Sequence, residues 1–114
     1  MKYTDRQRIE KIIFIANRLS QYMSLACITR DTVLNDYTVQ WTVTTPLYNI
    51  GEQTYNLSPE LKNQFPDIPW AKVSGMRHRL VHDYEGTNWS IIAEVLFRDL
   101  PPFIRQLREI LRSL

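Results

Sequence analysis

Between residues 4 and 28, apolar side chains return every three or four positions: Ile9, Ile12, Ile13, Ala16, Leu19, Tyr22, Met23 and Ala26. That spacing lays one stripe along a helix. Thr4 stands where an N-cap belongs. Further along, Ser58-Pro59-Glu60 reads as an N-cap followed by proline at the first helical position. A short helix from Pro59 to about Gln64 follows and stops at Pro66. Asp67-Ile68-Pro69-Trp70 opens another helix in the same way. Its stripe is Val73, Met76, Leu80, Val81 and Tyr84, and Gly86 closes it. Thr87 or Asn88 caps the next helix, which turns Trp89, Ile92, Ala93 and Leu96 inward. Asp99-Leu100-Pro101-Pro102 predicts a sharp break. Beyond it a last helix puts Phe103, Leu107, Ile110 and Leu114 on one face.

Residues 32–57 carry two patterns at once. Tyr37, Val39, Trp41 and Val43 alternate with Thr38, Gln40, Thr42 and Thr44, which is the signature of a strand built from strand-favouring residues. The same stretch also permits helical spacing, Tyr37 to Trp41, Val39 to Val43 and Leu47 to Ile50, with Pro46 as a breaker. Propensity favours the strand. Against it, no second segment offers a partner, and a lone strand is not stable. The chain as a whole predicts an all-α fold, an antiparallel helical bundle of four to five helices. Its 114 residues predict one domain, residues 1–114.

Composition narrows the classes little. Three glycines leave no glycine-rich phosphate loop, and neither G-x-G-x-x-G nor a P-loop occurs. Cys27 stands alone, so no disulfide forms within the chain. Charges recur through residues 1–20, unlike a signal peptide, and no apolar run is long enough for a membrane span. The expected location is the cytoplasm, with no membrane partner. The net charge is +2. Residues 1–68 hold seven basic and seven acidic side chains, and residues 69–114 hold seven and five, so the excess lies in the second part. That bias fits a nucleic-acid partner without requiring one.

The chemistry concentrates in Met76 to Gly86, MRHRLVHDYEG, which holds both histidines of the chain. Arg77 and Tyr84 are seven apart and share a helix face; His78 and His82 are four apart and share a neighbouring one. Arg77 and His82 lie about 140° apart on an ideal helix, so they do not touch. They converge only if the helix unwinds near His82 or a second copy of the chain supplies the facing residue. Three readings compete. His78 and His82 can share a metal ion, with Asp83 or Glu85 as a further ligand, but a third histidine and an H-E-x-x-H pattern are missing. The cluster can be a cationic helix end that offsets the macrodipole. Or it can be a nuclease centre without metal, in which His82 removes the 2′-hydroxyl proton of RNA and Arg77 clamps the phosphate.

Arg77 through Tyr84 spells R-x-x-x-x-H-x-Y, which resembles the signature of HepT-like proteins of the HEPN superfamily, small helical ribonuclease toxins. Other segments agree. IGEQTYNLS (Ile50 to Ser58) resembles the family's I-G-E-A stretch before L-S. IPW (Ile68 to Trp70), followed by GMR (Gly75 to Arg77), resembles its I-P-W and G-M-R-N run. DLPPF (Asp99 to Phe103) resembles its D-L-P opening of the last helix. The match covers roughly residues 47–114. It implies a HEPN-type bundle that is helical across residues 32–57, kinked or broken near Pro46. It implies a homodimer whose two motifs face one another across a cleft, and RNA cleavage without metal or cofactor. Arg77 and His82 take the catalytic roles, and His78, Tyr84 and Glu52 support them or bind substrate. Glu52 either orients Arg77 or is a structural carboxylate. The resemblance also implies a nucleotidyltransferase antitoxin that adds AMP to Tyr84. The family usually has Asn after the arginine. His78 takes that place here, either replacing the amide or titrating and adding charge. Trp70 and Trp89 flank the motif, where they either stack on bases or pack inside. Trp70, Trp89 or Phe97 is expected to add apolar area to the dimer. A second function class stays open: a non-catalytic helical module that binds a nucleotidyltransferase or a nucleotide.

Overall fold

Thr4 starts the first helix through a capping box. Its hydroxyl accepts the Gln7 backbone N–H at 3.1 Å, and the Gln7 side-chain oxygen accepts the Thr4 N–H at 2.9 Å. In the computed structural model, which describes residues 2–81 and 86–114, this helix is α1, Asp5–Leu25. It buries Ile9, Ile12, Ala16 and Leu19. The predicted stripe fades at its end, where Tyr22 is 40% exposed and Ala26 lies outside the helix on the surface. The reason is the C-terminal turn. Cys27 takes a left-handed φ of 54°. Its N–H reaches the Ser24 carbonyl at 3.4 Å, and the Ile28 N–H reaches the Met23 carbonyl at 2.9 Å. These are the two bonds of a Schellman turn, here with cysteine in the place glycine usually holds.

Residues 32–57 are mostly helical. After α2, Arg30–Asn35, comes α3, Tyr37–Tyr55. Asp36 caps α3, its Oδ1 accepting the Thr38 N–H at 2.9 Å and the Thr38 hydroxyl at 2.6 Å. Those bonds hold the Asp36 carboxyl below its ordinary range. The strand alternation gives way because burial follows the helical spacing: Val39, Val43, Leu47, Ile50 and Thr54 all face the core. No strand exists among the described residues to pair with it. Of the expected kink or break at Pro46, the break is absent: α3 runs through the proline. Pro46 has no N–H for the Thr42 carbonyl. In the same stretch two threonine hydroxyls bond back one turn, Thr42 to the Thr38 carbonyl at 2.7 Å and Thr44 to the Gln40 carbonyl at 2.6 Å.

The second half is cut more finely than the pattern predicts. Ser58 caps α4, Pro59–Gln64, and is tied to α1, its hydroxyl donating to Asp5 Oδ2 at 2.5 Å. The helix expected from Trp70 to Tyr84 divides at Gly75 into α5, Trp70–Ser74, and α6, Met76–Val81. Pro69 holds the α5 cap position without a side-chain bond, so the Asp67 signal misplaces that start. The positions expected of the Val81 and Tyr84 side chains lie outside the described residues. Asn88, not Thr87, caps α7, Trp89–Glu94, accepting the Ser90 and Ile91 N–H groups at 3.1 and 3.4 Å.

The predicted break at Asp99-Leu100-Pro101-Pro102 is also absent. A π turn, Val95–Asp99, leads without interruption into α8, Leu100–Ser113. The Leu100 N–H reaches back to the Val95 carbonyl. This wider turn takes up the irregularity of Pro101 and Pro102 at the start of α8. Phe103, Leu107 and Ile110 face the core as expected, but Leu114, at the frayed end, is 49% exposed.

Taken as rods, α1, α3, α5 with α6, and α7 through α8 form the expected bundle, with α2 and α4 as short connectors. Arg6 donates to the Leu114 carbonyl at 2.9 Å and Arg108 donates to Asn17 at 2.6 Å, so α1 and α8 run antiparallel. The core unites all four rods through residues such as Ile12, Val43, Leu47, Met76 and Phe103. Trp70 belongs to this core. Its indole N–H donates to the Phe65 carbonyl at 2.9 Å, and its ring meets Phe103 edge-on at 5.8 Å. It is therefore neither a base-stacking platform nor part of a dimer surface, and Trp89 also packs against the core. No helix among the described residues is long and apolar enough to cross a membrane.

Candidate active site

The glycine of the IGEQTYNLS stretch lets α3 and α6 approach closely. A Cβ built on Gly51 would stand 3.0 Å from the Arg77 backbone nitrogen and 3.1 Å from the Val73 carbonyl oxygen. A side chain here would press on backbone atoms of both α5 and α6, so glycine is the residue that lets the two rods pass at this distance. Behind it, Val73, Met76 and Leu80 turn into the core and fix the rotation of the α5–α6 rod. Arg77 is thereby delivered beside the last turn of α3.

Two α3 side chains receive it. The Arg77 guanidinium carbon sits 3.6 Å from the centre of the Tyr55 ring, and Arg77 Nη1 lies 3.9 Å from Glu52 Oε2. Glu52 is itself held, since the Asn56 amide donates to its Oε1 at 3.3 Å and to its backbone carbonyl at 2.8 Å. Both partners of the ion pair are about one-third exposed, at 31% and 35%. At that exposure and length the pair contributes well under about 1 kcal/mol, so it orients the guanidinium more than it stabilises the fold. The ring contact adds a comparable amount, about 0.5–1 kcal/mol at an exposed site.

Of the residues expected at the site, the structure thus unites Arg77 and Glu52. His78 and Arg79 follow on the exposed part of α6. His82 and Tyr84 lie outside the described residues, and with them the pairing of Arg77 to His82, the metal reading of His78 with His82, and the modification site. Among the described residues no group of three or more metal-ligating side chains assembles. A groove of about 440 Å³ lies on the opposite flank of α6, against α7, and is lined by Lys72, Arg79, Ser90, Glu94 and Arg98. Most of its charge is internally matched: Arg98 pairs with Glu94, and Lys72 lies 3.5 Å from Asp99.

Sequence inspection passed over Gly51 and Tyr55, although both stand in the quoted stretch. A glycine inside a helical pattern usually marks a close approach. Tyr55 follows Glu52 by three positions, which puts the two on neighbouring parts of one face.

A family model described as "Ribonuclease HepT-like" matches residues 7–110. Among curated proteins, the chain is similar to "Putative RNase TTE0752" of Caldanaerobacter subterraneus subsp. tengcongensis, with 38% identity over 56% of this chain and 57% of that one. It is similar to "Putative RNase MJ0127" of Methanocaldococcus jannaschii, 32% identical over 76% of this chain and 72% of that one. A "Probable ribonuclease HepT" of Thermococcus cleftensis is 27% identical over 89% of this chain and 90% of its own. The chain thus spans little more than half the length of the first of these relatives, and most of the other two. No solved structure matches it. A match across nearly the whole chain, on a helical bundle that brings Arg77 of the R-x-x-x-x-H-x-Y motif against Glu52, means that this protein belongs to the HepT-like ribonuclease family.

Proposed function

We propose that the chain is a metal-independent endoribonuclease, the toxin of a toxin–antitoxin pair. The observation that carries this is the Arg77 guanidinium, held at its face by Tyr55 and at one edge by Glu52, with donors left over for an anion. In the proposed reaction His82 takes the proton from the RNA 2′-hydroxyl. The freed oxygen attacks the adjacent phosphorus, the bond to the 5′-oxygen breaks, and a proton is returned to that leaving oxygen. The products are a 2′,3′-cyclic phosphate and a 5′-hydroxyl. Arg77 neutralises charge that builds on the phosphate as the new bond forms, a role suited to a planar, permanently charged fork. His78, next to Arg77, contacts substrate in place of the family's asparagine. The Arg77 clamp and the His82 base together require no metal ion.

The working unit is a homodimer. Tyr37 and Trp41 are 61% and 59% exposed, and their rings meet edge-on at 4.8 Å at the start of α3. An exposed aromatic pair on the helix that also carries Glu52 is the kind of surface that a second copy covers. A nucleotidyltransferase antitoxin silences the enzyme by adding AMP to Tyr84. The phosphodiester so attached competes for Arg77. Cytoplasmic RNA is the substrate class.

Digestion of single-stranded RNA by the purified protein in the presence of EDTA tests the reading. Cleavage is expected to persist in EDTA and to fall by about 10²–10⁴-fold in His82→Ala, the usual contribution of a general base. Wild-type cleavage by a folded His82→Ala protein, or cleavage that EDTA abolishes, overturns it.

A further inference from the structure

We infer that Tyr55 is the positioning residue for Arg77, a role that rests on Arg77 being the phosphate clamp. The guanidinium carbon stands 3.6 Å from the ring centre, which is stacking distance. A guanidinium can be held in two ways. A carboxylate takes its N–H groups and offsets its charge; an aromatic face takes none of them, because all five point outward in the guanidinium plane. At Arg77 the two are combined. Glu52 approaches one edge, at 3.9 Å, too long for a hydrogen bond, and Tyr55 covers a face. The ring fixes the plane in which the fork lies while leaving its donors and its charge for a phosphate.

The support beneath the ring is equally specific. Tyr55 is the last residue of α3, and its carbonyl accepts Lys62 Nζ at 3.1 Å, which ties that helix end to α4. Gly51, one turn earlier, sets the distance at which the Arg77 backbone passes. The ring is half exposed, at 50%, so its removal opens no buried cavity. Its size and place are explained by what it carries. The phenolic hydroxyl has no part in the contact, so the ring alone does the positioning.

The test uses the full chain in four forms: wild type, Tyr55→Phe, Tyr55→Leu and Arg77→Ala. A short fluorescent single-stranded RNA is the substrate, and thermal melts and sedimentation check fold and assembly. Tyr55→Leu is expected to lower kcat by about tenfold or more with KM little changed, since a misplaced clamp fails chiefly as charge develops in the transition state. Tyr55→Phe is expected to recover most of that loss. An independent readout is the NMR signal of the Arg77 Nε–H proton. Stacking on a ring shifts it upfield in the wild type and in Tyr55→Phe, and the shift vanishes in Tyr55→Leu. Normal kcat in Tyr55→Leu, an Arg77 signal unmoved by that change, or a Tyr55→Phe variant as impaired as Tyr55→Leu each overturns the inference. Arg77→Ala separates the two levels. If it cleaves like the wild type, the clamp role itself fails. If it is inactive while Tyr55→Leu is not, only the positioning role fails.

Discussion

Arg77 is set by three neighbours that differ in kind: a glycine that admits its backbone, a carboxylate at its edge and a ring on its face. Each predicts a distinct failure. In Gly51→Ala the new methyl meets the Arg77 nitrogen and the Val73 carbonyl, both backbone atoms that cannot rotate away. The α5–α6 rod must move, at a cost of about 1–3 kcal/mol for overpacking, partly offset because alanine favours a helix interior by about 0.5–1 kcal/mol over glycine. The melting temperature should therefore fall by only a few degrees, while cleavage falls further, because Arg77 moves with the rod. A variant that loses stability and activity in equal measure would assign Gly51 to folding alone. Arg77→Lys is expected to be nearly as damaging as Arg77→Ala. The ammonium keeps the charge but loses the planar fork that stacks on Tyr55 and grips two phosphate oxygens. Near-normal cleavage by the lysine variant would mean that charge alone suffices. Arg77 was legible in the sequence through its motif. Tyr55 was not, because nothing in a one-dimensional pattern says that the last residue of one helix lies under the second residue of another.

Helix ends show where sequence patterns hold and where they fail. Thr4, Asp36, Ser58 and Asn88 cap their helices with the side-chain bonds their residue types favour. Stops were harder. Pro46 and the Pro101-Pro102 pair read as breaks, yet α3 passes through the first and a π turn absorbs the second. In both cases the rod is held by packing on each side of the fault: Val43 and Leu47 around Pro46, and Leu96, Leu100 and Phe103 around the second pair. A local rule was outweighed by burial that the local window does not contain. The Schellman turn after α1 is the reverse case, a stop made without its usual residue. Cys27 holds φ at 54°, a conformation that costs an L-residue about 1–2 kcal/mol. Glycine would remove that strain and lose about 0.5–1 kcal/mol to the greater freedom of its unfolded chain. Cys27→Gly is thus expected to stabilise the protein by about 0.5–1 kcal/mol, read as a melting temperature higher by roughly 2–6 °C. Cys27 is exposed, so no packing is lost with its side chain. An unchanged or lower melting temperature would show that the turn carries no strain.

At the scale of the whole molecule the question is how many chains make one site. The bundle sets Arg77 against the end of α3 and leaves the Tyr37–Trp41 pair exposed at the start of the same helix. On an ideal helix Arg77 and His82 point about 140° apart. A site built within one chain needs the helix to unwind near His82. A site built across a dimer takes Arg77 from one protomer and His82 from the other. The two arrangements give different answers when inactive variants are combined. Arg77→Ala and His82→Ala chains carrying different tags are co-expressed, and the mixed dimers are isolated on both tags. If the site spans protomers, one of the two sites in each mixed dimer has both native residues, because the Arg77→Ala chain supplies His82 and the other supplies Arg77. The purified mixed dimer should then recover about half of the wild-type rate, and a random mixture, in which about half of the dimers are mixed, about a quarter. If each site lies within one chain, every site in the mixture is defective and no activity returns. A Trp41→Glu change in either chain places a charge in the Tyr37–Trp41 pair and should abolish the recovery along with the dimer, seen by sedimentation. Recovery that survives as monomers would exclude this pair as the interface, and no recovery from intact mixed dimers would place both catalytic groups on the same chain.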